Sequence, residues 1–240
     1  MEVKTKAIVL RTVKYGESRL IVDLLTEKVG RLSFGCNISR SGRGKIKKQL
    51  FQPLTILDVS FDYRENIQLQ RFYDLRIAVP FVSIPFDSVK LSITLFLAEF
   101  LGYSTRDERD NIPLYDFVEK SLLWLDGSQQ AYANFHLVFM MHLTLFIGFY
   151  PNLEGYREGA WFDLRNGSFS LVCPHHPDYL YPAESSRICT LMRMSYDNMR
   201  FFRMNRAERN RCVEVILYYY RLHVPDFPEL KSLDVLRELF

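Results

Sequence analysis

Through the first third of the chain, apolar residues recur at every second position and short polar turns separate the runs, the pattern of half-buried strands. Leu32, Phe34, Cys36 and Ile38 alternate with Arg31, Ser33, Gly35 and Asn37. Leu57, Val59, Phe61 and Tyr63 alternate with Ile56, Asp58, Ser60 and Asp62. Two further runs, 7–13 and 20–25, flank the turn Tyr15-Gly16-Glu17-Ser18, and a last one, 67–77, follows Arg64-Glu65-Asn66. The pattern predicts five strands within residues 1–80, with a long basic connection, 39–50, between the third and the fourth. Five short antiparallel strands with one long link fit an OB-type β-barrel, although an SH3-like barrel shares much of the pattern.

From Pro85 onward the apolar spacing becomes helical, so the chain reads as α+β and multi-domain, a strand domain followed by an all-α domain at 81–240. Asp87 or Ser88 is placed to cap a helix running to about Gly102. Asn111, with Pro113 in the first turn, caps another ending near Asp126-Gly127. Further helices are predicted over 130–149, 185–202, 206–222 and 230–240. Residues 151–184 interrupt the series with four prolines and three glycines, too many breakers for a helix. They predict an irregular insert with a short hairpin, 160–163 against 168–172, across Arg165-Asn166-Gly167.

Composition and charge add direction to this outline. With 48% hydrophobic residues in 240, the chain carries enough apolar side chain for a sizeable core. The net charge of +3 hides an uneven distribution. Residues 1–50 hold 12 Lys and Arg against 4 Asp and Glu, and 187–211 hold 7 against 2, whereas 51–186 hold 9 against 17. Two basic blocks around an acidic middle point to a polyanionic partner. The first apolar run is too short for a secretory signal, and the stretch 135–150 falls short of a membrane span. Cys36, Cys173, Cys189 and Cys212 are scattered without a C-x-x-C pair, which fits free thiols in a reducing, cytoplasmic setting.

Catalytic motifs are missing. The chain has no H-E-x-x-H, no G-x-S-x-G and no G-x-G-x-x-G after a strand, and Gly42-Arg43-Gly44-Lys45 lacks the flanking residues of a phosphate loop. The expectation is a protein that is not an enzyme and needs no cofactor. His136 and His142 are six apart, so on a helix they diverge by about 120° and suit the core better than a metal. Cys173 and His176 have C-x-x-H spacing with Cys189 beyond them, but the second pair of ligands that structural zinc requires is absent.

The strongest chemical signal is 39–48, where Arg40, Arg43, Lys45, Lys47 and Lys48 stand with two glycines and no acid. Arg11, Lys14, Arg19 and Arg31 come from neighbouring strands. On one barrel face these nine cations would track a sugar-phosphate backbone. Phe51, Tyr63, Phe72 and Tyr73 would offer stacking surfaces where exposed, although the alternation can bury most of them. The second basic block contains Arg193, Arg200, Arg203 and Arg206 on and between two helices. Either the acidic middle of the chain neutralises it or an acidic partner docks there.

The opening Ala7-Ile8-Val9-Leu10, Tyr15-Gly16-Glu17-Ser18, Leu20-Ile21-Val22, Thr26 and Gly30 resembles the start of the RecO family of bacterial recombination mediators. The tail, Tyr218-Tyr219-Tyr220 to His223 and then Leu230-Lys231-Ser232-Leu233, resembles the family's closing segment. The resemblance implies an N-terminal OB domain and a C-terminal helical domain with a small insert. It also implies binding to single- and double-stranded DNA, annealing of complementary strands and, with RecR, loading of the RecA recombinase onto DNA coated by single-strand-binding protein. The basic OB face carries over to the nine N-terminal cations, and the arginine-rich helices to a dock for the acidic tail of single-strand-binding protein. A four-cysteine zinc module found in many members does not carry over. Only Cys173 is suitably placed, and Glu154, Gly155 and Tyr156 stand where an early pair would be sought.

Overall fold

The computed structural model describes residues 1–17, 19–37, 48–106, 108, 109 and 111–239. The alternating N-terminal third forms β1 (Glu2–Tyr15), β2 (Arg19–Thr26), β3 (Gly30–Asn37), β4 (Ile56–Asp62), β5 (Leu69–Gln70) and β6 (Phe72–Val79), hydrogen-bonded in the order β5-β3-β2-β1-β4-β6. The inward positions of this sheet build a core of Ala7, Val9, Leu20, Val22, Phe34, Val59 and Phe61 with their neighbours. On its other face Ile8 and Leu10 are equally buried, where α1 packs on β1.

The run 67–77, expected as one strand, is two. Leu69–Gln70 pairs parallel with β3, and Phe72–Val79 pairs antiparallel with β4. The buried Gln70 side chain fixes the break: its Nε2 donates to the carbonyls of Arg64 and Ile67 at 2.8 and 2.7 Å. These bonds cinch the preceding turn so that the chain changes partner at Arg71. β5 and β6 are the two ends of the pairing order, which is open rather than the closed ring expected of a barrel. Gly35 marks the close approach of β3 to β5, since a Cβ there would lie 2.9 Å from Leu69 Cδ2.

Among the described residues six α-helices follow: α1 (Ser88–Ser104), α2 (Ile112–Gly127), α3 (Phe135–Phe146), α4 (Pro182–Arg193), α5 (Arg206–His223) and α6 (Leu233–Leu239). The chain separates into two compact units, residues 1–127 with 230–236, and 128–229 with the residues after 236. In the first unit Asp87 accepts from the amides of Val89 and Lys90, and Asn111 accepts from Leu114, so both caps act where the sequence placed them. Asp126, at the end of α2, receives the amides of Val82, Ser83 and Ile84, each at 2.9 Å.

Burial pushes the Asp126 carboxyl up, but the three backbone bonds outweigh it and hold the group below the usual carboxylate range. A depressed folded-state value means that the stabilisation is full above the unfolded pKa of about 4 and is lost as pH falls through the folded one. Asp126→Ala is therefore expected to cost about 2 kcal/mol at neutral pH. Urea titrations at neutral pH and near pH 3 should show the gap to wild type closing in acid.

In the second unit α3 starts later than expected, after Ala131, whose φ of 67° no helix accepts. The run expected at 185–202 is α4 plus a 3-10 turn, Met199–Phe201. Between them Asn198 turns the chain, accepting from Ser195 N at 2.7 Å and donating to Arg193 O at 2.9 Å. The insert contains the expected hairpin as β7 (Trp161–Asp163) and β8 (Ser168–Ser170), with a third strand, β9 (Tyr179–Leu180), on the other side of β7. Three consecutive tyrosines of α5, about 100° apart around the helix, hold three different places. Tyr218 donates to Asp178 of the insert, Tyr219 to Phe149 O at 2.8 Å and Tyr220 to Met140 O at 2.7 Å. Gly167 has a φ of 61° and packs where any Cβ would strike the Tyr219 hydroxyl.

Candidate nucleic-acid interface

The registers of β1, β2 and β3 decide which cations share a face, because directly opposed residues point the same way. From Val3 to Val9 the odd positions of β1 face the core, and a regular strand would carry Arg11 in with them. A bulge between Val9 and Arg11 reverses the alternation, setting Arg11 opposite Asp23 and Tyr15 opposite Arg19 on the face away from Leu20 and Val22. Arg31 lies opposite Leu25 on that same outward face. Lys14 is opposite Leu20 and so points to the other one. The structure thus sets Arg11, Arg19 and Arg31 on one face of the sheet and Lys14 on the other.

Arg11, Lys14, Arg19 and Lys48 are exposed. Arg31 is engaged within the fold. Its Nη1 donates to Gly102 O at 2.6 Å and its Nη2 lies 3.6 Å from Asp23. Burial is the largest influence on this guanidinium and lowers its pKa, with Asp23 opposing. Arg31 therefore serves first to tie β3 to the end of α1. Arg40, Arg43, Lys45 and Lys47 lie outside the described residues. The chain enters that segment from Asn37, which is paired with Arg19, and leaves it at Lys48.

Of the four aromatics expected as possible stacking surfaces, three pack inward. Phe51 is buried, Phe72 stacks on Phe34 with ring centres 4.2 Å apart, and Tyr63 meets Phe61 edge-on. Tyr73 alone of the four is exposed, at 65%. It is the extra residue of a second bulge, between the pairs Ser60↔Asp74 and Phe61↔Phe72. Beside it stands Arg71, a cation outside both basic blocks. Arg71 lines one cleft with Tyr73 and Arg64 and another with Arg19 and Asn37. Its only sequence signal is a position in a strand whose break the alternation does not reveal.

On the second basic block, the acids of the chain take Arg211, which holds Glu184 at 2.6 Å and lowers the pKa of that carboxyl. Arg193 and Arg206 donate to the backbone carbonyls of Cys189 and Arg237. Arg200 sits over the Phe201 ring at 4.8 Å, and with Arg203 it edges a cleft of about 470 Å³ that Met199, Phe202 and Met204 also line. Among the described residues, internal ion pairing thus accounts for Arg211, not for Arg200 or Arg203.

In the insert, His176 Nε2 lies 3.3 Å from Asp163, Cys173 is exposed and Cys189 is buried on α4. No group of three or more His, Cys, Asp or Glu suited to a metal ion occurs among the described residues. On α3, burial pushes His136 down to about 3, so it is neutral in the core, and His142 bonds Met194 O at 2.9 Å. No helix among the described residues is long and apolar enough to cross a membrane.

Two family models cover the chain almost end to end: "Recombination protein O N terminal" matches residues 1–81 and "Recombination protein O C terminal" matches 85–234. The chain belongs to the RecO family. Among its relatives, the DNA repair protein RecO of Bacteroides fragilis is 49% identical over 238 residues, covering 99% of this chain and 98% of its own. That of Phocaeicola vulgatus is 48% identical over 237 residues, with the same coverage. That of Flavobacterium psychrophilum is 35% identical over 242 residues and the whole of both chains. The junction of the two RecO family models falls between β6 and α1, whereas the compact units divide after α2.

Proposed function

We propose that this RecO-family chain is a non-catalytic, cytoplasmic DNA-binding protein of DNA repair. In this reading it anneals complementary strands and, with RecR, assists recombinase loading on single-stranded DNA coated by single-strand-binding protein. The observation that carries the reading is the outward turn of Arg11 and Arg19 onto one face, with Arg19 paired to Asn37, from which the chain runs on into the sequence holding Arg40, Arg43, Lys45, Lys47 and Lys48. Cations gathered this way neutralise backbone phosphates, and two strands relieved of mutual repulsion can pair. The OB-type barrel belongs to the same reading. In its support, β5 and β6 are one residue apart in sequence yet pair with strands on opposite sides of the order.

A second reading, in which the arginine-rich cleft binds an acidic peptide tail, is favoured by the exposed Arg200 and Arg203 beside apolar Met199, Phe202 and Met204. The two activities are compatible on one chain. With dye-labelled complementary oligonucleotides, the full chain should speed duplex formation at least tenfold at low salt. No acceleration would sink the annealing proposal. Anisotropy with an acidic peptide should respond to Arg200→Ala with Arg203→Ala while oligonucleotide binding does not. RNA of the same sequence, bound more tightly than DNA, would instead point to an RNA-binding OB protein.

A further inference from the structure

A cleft of about 350 Å³ opens within the first unit where β1 and β3 meet α1 and the segment around Lys231. Four cations reach it from four separate places in the chain: Arg11 on β1, Arg31 on β3, Arg106 just past α1, and Lys231. Arg31 is fixed by Gly102 O, and the charges of both Arg11 and Arg106 are felt at its guanidinium. Among the described residues, the acids nearby, Asp23 and Glu99, are already engaged. Asp23 accepts from Ser33 Oγ at 2.6 Å and faces Arg31. Glu99 spends its oxygens on the amides of Lys231 and Ser232, at 3.1 and 2.8 Å, and on the Ser232 hydroxyl. One wall is apolar, with Leu95 43% exposed, and the Arg106 guanidinium lies 5.5 Å over the Tyr103 ring.

Like charges converging around acids that are already engaged leave a positive field that an incoming anion relieves. Arg11 also belongs to the outward sheet face that carries Arg19, four residues along β1 and β2, about 13 Å at strand rise. A nucleic-acid strand a few nucleotides long spans that interval, so the cleft continues the surface already described. We infer that this cleft is a phosphate subsite for a nucleic-acid backbone, with Arg11, Arg106 and Lys231 as its ligands, Arg31 as its fixed floor, and Tyr103 and Leu95 as a wall for the adjoining base or sugar. The inference rests on the DNA-binding reading and adds to it two cations outside both basic blocks of the sequence.

The test is fluorescence anisotropy of a labelled single-stranded oligonucleotide against the full chain over a range of salt, for wild type and for Arg106→Ala with Lys231→Ala. Arg31 is left in place because it ties β3 to α1. The double variant should bind several-fold more weakly at low salt, with an unchanged melting curve and a log–log salt slope shallower by about 0.7 for each phosphate left without its cation. A wild type that binds steeply and a variant that matches it would overturn the subsite and leave the DNA-binding reading standing. A wild type that does not bind would overturn the DNA-binding reading itself. A variant that keeps oligonucleotide affinity but no longer binds a labelled acidic peptide would reassign the cleft to a protein partner.

Discussion

Replacing Arg40, Arg43, Lys45, Lys47 and Lys48 together by Ala is expected to weaken binding of single-stranded DNA by about a hundredfold at moderate salt. The basis is counterion release: each neutralised phosphate contributes about −0.7 to the slope of log K against log[salt] for a single strand. With about five phosphates neutralised the slope is about −3.5, and each phosphate that loses its cation makes it shallower by about 0.7. Arg11 and Arg19, exposed on the outward face of β1 and β2, are left in place in this variant. Thermal melting of the variant separates a weakened interface from a weakened fold. Affinity within twofold of wild type would mean that these five cations do not meet DNA.

Phe34→Ala is the substitution expected to cost the fold most, about 3–5 kcal/mol. The side chain is fully buried in the sheet core, stacked on Phe72 at 4.2 Å with planes 5° apart and edge-on to Phe61 at 4.9 Å. Truncation leaves a cavity between two aromatics that β-sheet hydrogen bonds hold in place, so little collapse can fill it. Phe72 also lies in sequence between Arg71 and the exposed Tyr73. Guanidinium titration should show the midpoint falling strongly, and Phe34→Leu, which keeps part of the volume, should recover more than half of the loss. A change below about 1 kcal/mol would show that the sheet repacks freely.

The elements that the sequence displayed best are those whose signal is local. Asp87 and Asn111 cap α1 and α2 by hydrogen bonds to amides two or three residues away, and Arg165-Asn166-Gly167 turns β7 into β8 within one hairpin. The elements it concealed depend on distant partners. Gln70 breaks the last strand of the large sheet through carbonyls of the preceding turn, and β9 is two residues that exist as a strand only beside β7. The site follows the same division. The basic stretch 39–48 is plain in the sequence, but the bulge beyond Val9 reverses the alternation of β1. No composition or periodicity says that Arg11 turns outward while Lys14 does not. Arg71 and Arg106 gain meaning only from what folds beside them, and Arg31, legible as a cation, is engaged by a carbonyl 71 residues away in sequence.

If the amino-terminal cations hold polynucleotide through its phosphates, the dependence of wild-type affinity on salt reveals it most directly. Anisotropy of a labelled single-stranded oligonucleotide, measured from low to moderate salt, should give a straight log–log line with a slope of about −3.5. A slope near zero at measurable affinity, or no binding even at low salt, would contradict phosphate-directed binding.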